Sequence, residues 1–384
     1  MQRRRTGDPR TNDAATTHRR SGAPHTMASA AAARLASAAL ASARPRRATT
    51  SAPIQPRHGI VPSASRGAFR LSANKKRAKL EKQKESAARD RESRSRDGAL
   101  IERVRDADHE ARRWLGQHFL VDASVVRDAI EAAALREGDA VLEIGPGTGN
   151  LTSEMLKAGA SVLAVEKDRN LAEKLRSGLC EEYEGRLTLV EGDFLKWDGL
   201  ATAFERKTPE QPRAKVVANI PYNITTDVLK VLLPMGDAFE DMIFMFQEEV
   251  AQRLVRDDAG GGDYRAMSVR VHYYSKPYYI RPVPPTCFMP PPNVDSCLIG
   301  FKPKEPHELL PLSGTEKQFF TFVQACFAQK RKMLRNNLKA VCEEDTMEAA
   351  FVMLERGDKI RPQELKMEEY VRLFNFIRER DGKD

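Results

Sequence analysis

The chain contains the sequence Val141-Leu-Glu-Ile-Gly-Pro-Gly-Thr-Gly-Asn150, in which a short apolar run leads directly into three glycines at alternate positions. An apolar run of this length after the turn residues Gly138-Asp139 predicts a buried strand. Glycines permit positive φ angles and let a ligand approach the main chain, so the strand should end in a nucleotide-binding loop. Residues 151–158 have the composition of a helix whose N-terminus faces that ligand.

The glycine spacing indicates which kind of nucleotide is bound. It is G-x-G-x-G, not the G-x-G-x-x-G of dinucleotide-binding proteins, and the Gly-Lys-Ser/Thr of a P-loop is missing. An adenosyl ligand is therefore favoured, and Glu143 at the end of the strand is placed to hold its amino-acid end. Two later strand-like runs, 161–165 and 187–190, are followed by Glu166 and Asp193. Glu166 follows the first glycine by 21 residues, about where an acid meets ribose hydroxyls in a βαβ unit, and Asp193 is predicted to accept from the adenine amino group.

The tetrapeptide Asn219-Ile-Pro-Tyr222 follows a fourth strand-like run, 215–218. An exocyclic amine of a nucleobase is a weak nucleophile because its lone pair is delocalised into the ring. Two acceptors, the Asn219 side chain and a carbonyl of Ile220-Pro221, would hold both amine hydrogens, while Tyr222 stacks on the base. If the adenosyl ligand is S-adenosylmethionine, displacement at its sulfonium methyl depends on alignment more than on a strong base. Positioning can then supply most of the rate. The alternative is an Asn that caps a strand before a turn proline.

Two further segments are predicted to close the site. The Gln-His pair in Gly116-Gln-His-Phe-Leu120 precedes the first strand and could cover an adenosyl group. The segment Phe288-Met-Pro-Pro-Pro-Asn-Val-Asp-Ser296 is predicted to be a proline-stiffened loop. We expect Phe288 to be exposed and to stack on the face of the base opposite Tyr222. Each stacking contact contributes about 1 to 3 kcal/mol, and flipping a base costs a few kcal/mol. Phe288 could alternatively be a hydrophobic plug at a domain junction.

The elements between these motifs follow from hydrophobic periodicity. Helices are predicted over 225–233 and 247–255, and strands over 241–246 and 297–301. Residues 257–263 contain three consecutive glycines and are predicted to be a mobile loop. Residues 267–274 fit a strand and a helix equally well.

The N-terminal part of the chain differs in composition from the rest. Residues 1–80 hold 17 Lys and Arg against two acids, Asp8 and Asp13, although the net charge of all 384 residues is +9. The leader is rich in Arg, Ala, Ser and Thr, which is typical of a transit peptide, and Met27 could be the working initiator. A chloroplast is the expected compartment, with a mitochondrion as the alternative. A basic tail that stays on the protein and touches RNA is also considered, and residues 81–108 are predicted to be a mixed-charge linker.

Membrane and metal sites are not predicted. No apolar run approaches the ~18 residues that span a bilayer. The five cysteines are odd in number and lack C-x-x-C or His-adjacent spacing, which favours a reducing compartment without structural zinc. We therefore expect neither membrane association nor a bound metal.

The C-terminal residues 304–384 are predicted to be a small all-helical domain after a main domain of 109–303, because no strand pattern follows Pro311. Residues 270–340 hold 11 Lys and Arg against four acids, although the body of the chain is mildly acidic. An isolated basic surface of this kind is expected to contact a phosphate backbone. The predicted RNA-binding residues are Lys330, Arg331, Lys332 and Arg335. A solvated helix face is the alternative.

These motifs resemble those of the ribosomal RNA adenine N6-dimethyltransferases, over roughly residues 109 to 380. They occur in the family's order: Gly116-Gln-His-Phe-Leu120, Glu143-Ile-Gly-Pro-Gly-Thr-Gly-Asn-Leu-Thr152, Glu166, Gly192-Asp193, Asn219-Ile-Pro-Tyr222, Phe288 with its prolines, and Lys330-Arg-Lys-Met-Leu-Arg335. The sequence around Glu248 looks most like the chloroplast branch.

The resemblance implies an α/β fold, with a Rossmann-like S-adenosylmethionine-dependent methyltransferase domain and a small helical C-terminal domain. It also implies dimethylation of two adjacent adenines in the 3′-terminal hairpin of small-subunit rRNA. An immature 30S-type particle is the expected partner, and the protein is expected to be a monomer. Carried over by position, the cofactor site comprises His118, Leu120, Gly145, Glu166, Asp193 and Asn219. The base-binding residues are Asn219, Tyr222 and Phe288. Many members of the family have Asn at the position of His118, which leaves the contact of that side chain open.

Two other functions are considered. The first is a ribosome-assembly factor that binds immature small subunits and in which methylation is secondary. The second is a small-molecule methyltransferase, which is disfavoured by the basic residues 329–339.

Overall fold

The computed structural model describes residues 97–104, 118–256, 264–329 and 332–382. The predicted leader 1–80, the loop 257–263, and Lys330 and Arg331 lie outside these residues. In the described ranges the strands are β1 (Phe119–Leu120), β2 (Ala140–Ile144), β3 (Ser161–Glu166), β4 (Leu187–Glu191), β5 (Ala214–Ala218), β6 (Phe239–Gln247), β7 (Ser275–Val283), β8 (Phe288–Met289) and β9 (Ser296–Pro303). The helices are α1 (97–104), α2 (Ala123–Ala132), α3 (Asn150–Lys157), α4 (Arg169–Leu175), α5 (Leu200–Ala203), α6 (Thr225–Leu232), α7 (Glu248–Val255), α8 (Ala266–Tyr274), α9 (Glu316–Cys326), α10 (Leu334–Leu338), α11 (Glu344–Leu354) and α12 (Met367–Arg380).

Seven of these strands form one mixed sheet in the order β4-β3-β2-β5-β6-β9-β7. The strands from β4 to β6 are parallel, whereas β9 runs antiparallel to β6 and β7 antiparallel to β9. The chain builds outward from β2 through β3 to β4, then returns to place β5 on the other side of β2. Such a reversal opens a crevice at the carboxyl ends of the two central strands, where ligands bind in sheets of this kind. The predicted α/β, Rossmann-like arrangement is therefore present.

Both faces of the sheet are covered, and the alternation of side chains along the strands assigns each face its own core. On β6, Phe244 and Phe246 belong to one cluster of buried residues and Ile243 and Met245 to the other. Successive residues of a strand point to opposite faces, so a strand buried on both sides reads as a continuous apolar run. That is the pattern from which β2, β3 and β6 are predictable.

Strand β7 differs from the sequence-based prediction, which assigns no strand to residues 275–283. It contains Pro277 and Pro282 and pairs with β9 alone, at the edge of the sheet. Proline is tolerated there because its missing N–H is not needed by a second neighbour. The preceding segment, which fits a strand and a helix equally well by sequence, is helix α8.

Helix α1 also differs from expectation, because the sequence places residues 97–104 in a charged linker. Leu100 and Val104 are 5% and 7% exposed and belong to the core cluster that contains α2 and α3. Gly98, Ala99 and Glu102 are exposed and form the solvent-facing side of this short amphipathic helix. This part of the predicted linker is therefore packed against the sheet domain.

The C-terminal residues are helical, and no strand follows Pro311 in the described part of the chain, as predicted. Their core is not separate from that of the sheet domain. The ring of Phe319 lies 5.5 Å from that of Tyr273, and the ring of Phe320 lies 5.4 Å from that of Tyr274. One buried cluster thus runs across the predicted domain boundary between residues 303 and 304.

Candidate active site

An open cleft lies at the carboxyl edge of β2, β3 and β5. Its lining comprises His118, Phe119, Leu120, Glu143, Gly145, Pro146, Gly147, Thr148, Asn150, Leu151, Glu166, Asn219, Ile220, Pro221 and Tyr222. Five of the six predicted cofactor residues are among them, together with two of the three predicted base-binding residues. Motifs that are about a hundred residues apart in sequence therefore meet in one place.

The glycine loop has the conformation that its sequence predicts. Gly145 has φ +68°, and a Cβ added to it would meet no atom within 4 Å, so its main chain borders open space. Gly147 has φ +60°, and a Cβ there would lie 3.2 Å from the ring of Phe119. Side chains rarely adopt such positive φ angles, and at Gly147 one would also press on the wall of the cavity.

Glu166 is held by the glycine loop itself. Its Oε2 accepts from the Gly147 amide at 3.0 Å, and its Oε1 accepts from the Asp168 amide at 2.7 Å. Burial raises the pKa of this carboxyl, although the two amide hydrogen bonds act in the opposite direction. Each carboxylate oxygen can accept a second hydrogen bond, which suits it to ribose hydroxyls.

Glu143 is 1% exposed and lies beneath the same loop. The Thr152 hydroxyl on α3 donates to its Oε2 at 2.6 Å. Burial raises the pKa of Glu143 to about 8, with a smaller contribution in the same direction from Glu166. A buried acid of this kind suits a cationic ligand group, which would restore its charge.

Asn219 and His118 join the sheet edge to the proline-rich loop. The Asn219 Nδ2 donates to the His118 carbonyl at 3.2 Å. The His118 Nδ1 lies 2.9 Å from the Pro290 carbonyl, so this ring nitrogen carries the hydrogen. Strand β1, which follows His118, pairs antiparallel with β8, with Leu120 opposite Phe288. Sequence analysis predicts that both segments close the site but not that they pair with each other.

Tyr222 is half-buried at the tip of β5. Its hydroxyl is hydrogen-bonded to Ser296 Oγ at the start of β9, and burial raises the pKa of the phenol. The tyrosine is therefore neutral and anchored at its far end. The Pro221 carbonyl accepts from the Ile224 amide at 3.2 Å and from Thr225 Oγ1 at 3.3 Å.

The expectation that Phe288 is exposed is wrong. Phe288 is 4% exposed and belongs to the core cluster on the α2 face of the sheet. Its position on β8, opposite Leu120, directs it into that core, in agreement with the alternative of a hydrophobic plug. Its predicted contact with a base therefore requires a change from this arrangement.

Asp193 lies at the end of β4 and is absent from the lining of this cavity. Its carboxylate accepts from the Leu195 amide and from Lys167 Nζ, both at 3.1 Å. The lysine hydrogen bond holds the pKa of Asp193 below its usual value. Its contact with adenine stays a prediction.

The predicted RNA-binding residues fall into different environments. Lys332 is exposed, whereas Arg335 is engaged by acids of the helical region. Its guanidinium pairs with Glu344, with Glu348 at 3.3 Å, and with Asp358 at 3.7 Å. Arg335 therefore has a structural role in this arrangement, and its RNA contact stays a prediction.

Several lining residues are missing from the sequence-based list. Asn150 donates from Nδ2 to the Leu120 carbonyl at 2.7 Å, which fixes β1 against the start of α3. Ser296, outside the lining, anchors Tyr222. Both residues belong to quoted motifs, so their positions carry a signal, but their partners are set by tertiary contacts.

Among the described residues, no helix is long and apolar enough to cross a bilayer. Within the same ranges, no cluster of three or more His, Cys, Asp or Glu side chains could hold a metal ion.

Comparison with known proteins identifies the family. Residues 108–379 match the family model described as ribosomal RNA adenine dimethylase. The chain belongs to the ribosomal RNA adenine dimethylase family. Its predicted class, an rRNA adenine dimethyltransferase that uses S-adenosylmethionine, is thereby confirmed.

Individual relatives agree with this assignment. The chain is 37% identical over 274 residues to the chloroplastic ribosomal RNA small subunit methyltransferase of Arabidopsis thaliana, covering 69% of this chain and 78% of the relative. It is 39% identical over 274 residues to ribosomal RNA small subunit methyltransferase A of Thermosynechococcus vestitus, covering 70% and 97%.

Solved structures confirm the fold. A dimethyladenosine transferase from Plasmodium falciparum superposes with a TM-score of 0.51 and 25% identity, covering 66% of this chain and 95% of that one. The 23S rRNA methyltransferase ErmE superposes with a TM-score of 0.50 and 24% identity, covering 67% and 98%.

Proposed function

We propose that this protein transfers methyl groups from S-adenosylmethionine to two adjacent adenines in the 3′-terminal hairpin of small-subunit rRNA in an organelle. The observation that carries the proposal is the meeting, in one cavity, of the glycine loop and Glu166 with the Asn219–Tyr222 tip. A methyl-donor site and a base-holding site must share a border for transfer to occur.

The cavity fits S-adenosylmethionine. Glu166 is placed for ribose hydroxyls, and Glu143 for the amino group of the methionine end. The main chain at Gly145 borders open space that a Cβ would enter, as a close ligand approach requires. When bound, this cofactor supplies an electrophilic methyl group on a sulfonium.

The residues at the β5 tip hold the adenine amine. Asn219 uses Nδ2 to bond the His118 carbonyl, which aims Oδ1 of the same amide at a substrate amine hydrogen. The Pro221 carbonyl already accepts two bonds, so we assign the second amine hydrogen to the Ile220 carbonyl. Tyr222 supplies the stacking plate. Held by these residues, the amine nitrogen would form a bond to the methyl carbon that the sulfonium supplies. The electron pair of the broken C–S bond would stay on sulfur, and the nitrogen would lose its proton to water.

The substrate and compartment rest on two supports. Relatives that are 37% and 39% identical are named small-subunit methyltransferases, and one of them is chloroplastic. The leader has transit-peptide composition, so we assign the protein to the chloroplast, with the mitochondrion as alternative. A fusion of residues 1–80 to a fluorescent reporter should enter plastids, and a cytosolic or nuclear signal would contradict both assignments.

Substituting Asn219→Ala tests the function. We expect methyl transfer to immature small subunits to fall by about 100-fold or more, because the amine loses its alignment. Radiolabelled S-adenosylmethionine measures transfer, and sedimentation measures binding to the particle, which should persist. Asn223→Ala is the matched control, since Asn223 is an exposed amide in the same turn.

Two outcomes would contradict the proposal. Normal methylation by Asn219→Ala would remove Asn219 from the reaction. A wild-type protein that binds the particle without methylating it would favour the assembly-factor alternative.

A further inference from the structure

Helix α1 lies outside the residues that match the family model, which begin at residue 108. It nevertheless contacts the glycine loop that the family shares. The Arg103 Nη1 donates to the Gly149 carbonyl at 3.2 Å, and the Leu100 carbonyl accepts from Asn150 Nδ2 at 3.4 Å. The helix thus touches both residues at the junction of the glycine loop and α3.

The same helix is fixed to the domain at its other end. The Asp97 Oδ1 accepts from the Ala123 amide at 2.7 Å, at the start of α2. The first amides of a helix have no partner within the helix, so this carboxylate completes α2. Leu100 and Val104 fill the core between these polar contacts. Helix α1 is therefore held to the domain by contacts at both ends and in its middle, so it can hold the glycine loop in one position.

The junction that Arg103 contacts is constrained. Gly149 has φ +79°, and a Cβ there would lie 2.5 Å from Leu179 Cδ1 and 2.8 Å from Leu175 Cδ2. Its carbonyl also accepts from the Ser153 amide at 2.9 Å, in the first turn of α3. The guanidinium adds a charged donor to this carbonyl, and hydrogen bonds to charged groups contribute more than neutral ones.

We propose that α1, which precedes the residues matched by the family model, is part of the catalytic domain and that Arg103 is a positioning residue for the glycine loop. This inference rests on the proposed function, because the loop's ligand is the methyl donor. Through the Gly149 carbonyl and the start of α3, Arg103 fixes the position of the glycine loop. That loop includes Gly147, whose amide donates to the Glu166 carboxylate. Removal of a transit peptide must then cut before Asp97.

The test uses Arg103→Ala, Arg103→Lys and Glu102→Ala, each made in the full chain. Glu102 is exposed on the same helix and is the matched control. We expect Arg103→Ala to weaken S-adenosylhomocysteine binding about fivefold in calorimetry at 25 °C, where the variant is still folded. Arg103→Lys should bind S-adenosylhomocysteine more tightly than Arg103→Ala does. Glu102→Ala should bind it as tightly as the wild type, and the KM for RNA should not change in any variant.

A structural role alone would lower the unfolding temperature of Arg103→Ala without changing its affinity for S-adenosylhomocysteine, and that result would overturn the inference. Amide hydrogen exchange of residues 147–151 gives a readout without ligand, and should be faster in Arg103→Ala than in wild type. Failure of the wild type to bind S-adenosylhomocysteine would refute the proposed function. Unchanged exchange would refute the role of Arg103.

Discussion

Glu143 illustrates how one buried acid links the fold to ligand binding. Its folded pKa of about 8 lies above the ordinary value of 4.5, because burial disfavours the carboxylate. The folded state therefore holds a proton that the unfolded state loses between these two pH values. The contribution of Glu143 to the free energy of unfolding therefore falls as pH rises past 4.5, and the fall is complete above about 8, where the buried carboxylate is charged. A cationic group beside Glu143 would reverse this penalty.

We predict that binding of S-adenosylhomocysteine, which carries an amino group, releases a proton from Glu143 near pH 7. Calorimetry in buffers of different ionisation enthalpy measures that release. In Glu143→Gln the release from this residue should vanish, and the fall in unfolding temperature between pH 6 and about 8 should be smaller than in wild type. Identical pH profiles for the two proteins would show that Glu143 does not titrate in this range.

At the scale of elements, the cavity depends on contacts between segments that are distant in sequence. The β1–β8 ladder joins the residues after His118 to the proline-rich loop. The bond from Tyr222 to Ser296 joins the tip of β5 to the start of β9. Ser296 is 1% exposed, so its hydroxyl is shielded from water. These two contacts connect the cofactor side of the cavity to the base side.

We predict that Ser296 acts on the reaction through Tyr222. Tyr222→Phe and Ser296→Ala should each lower kcat, by about fivefold, because either change frees the stacking ring. Combined, they should lower kcat no further than Tyr222→Phe alone. Steady-state kinetics with saturating cofactor checks this, with the exposed Ser177→Ala as control. Additive effects would mean that Ser296 works by another route.

The elements also show which features of the sequence are predictive. Strands β2, β3 and β6 are predictable because burial on both faces leaves an uninterrupted apolar run between turn residues. Strand β7 is not, because an edge position tolerates prolines that normally indicate a loop. Helix α1 is concealed by its charged side chains, since Leu100 and Val104 are too few to reveal a buried stripe. The burial of Phe288 follows from its pairing with β1, which no local pattern records.

At the scale of the whole molecule, the basic surface divides into two kinds of residue. Arg335 is surrounded by Glu344, Glu348 and Asp358, so its charge is locally balanced. Lys332, three residues earlier in the chain, is exposed. The net charge of a segment therefore overstates the number of positive side chains that can contact a phosphate backbone.

We predict different effects for these residues. Replacing Lys330, Arg331 and Lys332 by Gln should weaken RNA binding and reduce its salt-dependence slope by about 2, because each phosphate contact contributes ~0.7 to 0.9. Arg335→Gln should lower the unfolding temperature and leave that slope unchanged. Filter binding at several salt concentrations, together with thermal unfolding, separates the two. A loss of slope in Arg335→Gln would show that its acidic neighbours release it to RNA.

The core that crosses residues 303 and 304 has a consequence for how this enzyme can change. Phe319 and Phe320 complete the packing of Tyr273 and Tyr274, so deleting the last helices would leave those aromatic rings facing water. The C-terminal helices cannot be exchanged as an independent cassette, as a tethered RNA-binding module could be. On the proposal that these helices contact RNA, a change of RNA target would require replacing side chains on a scaffold that stays whole.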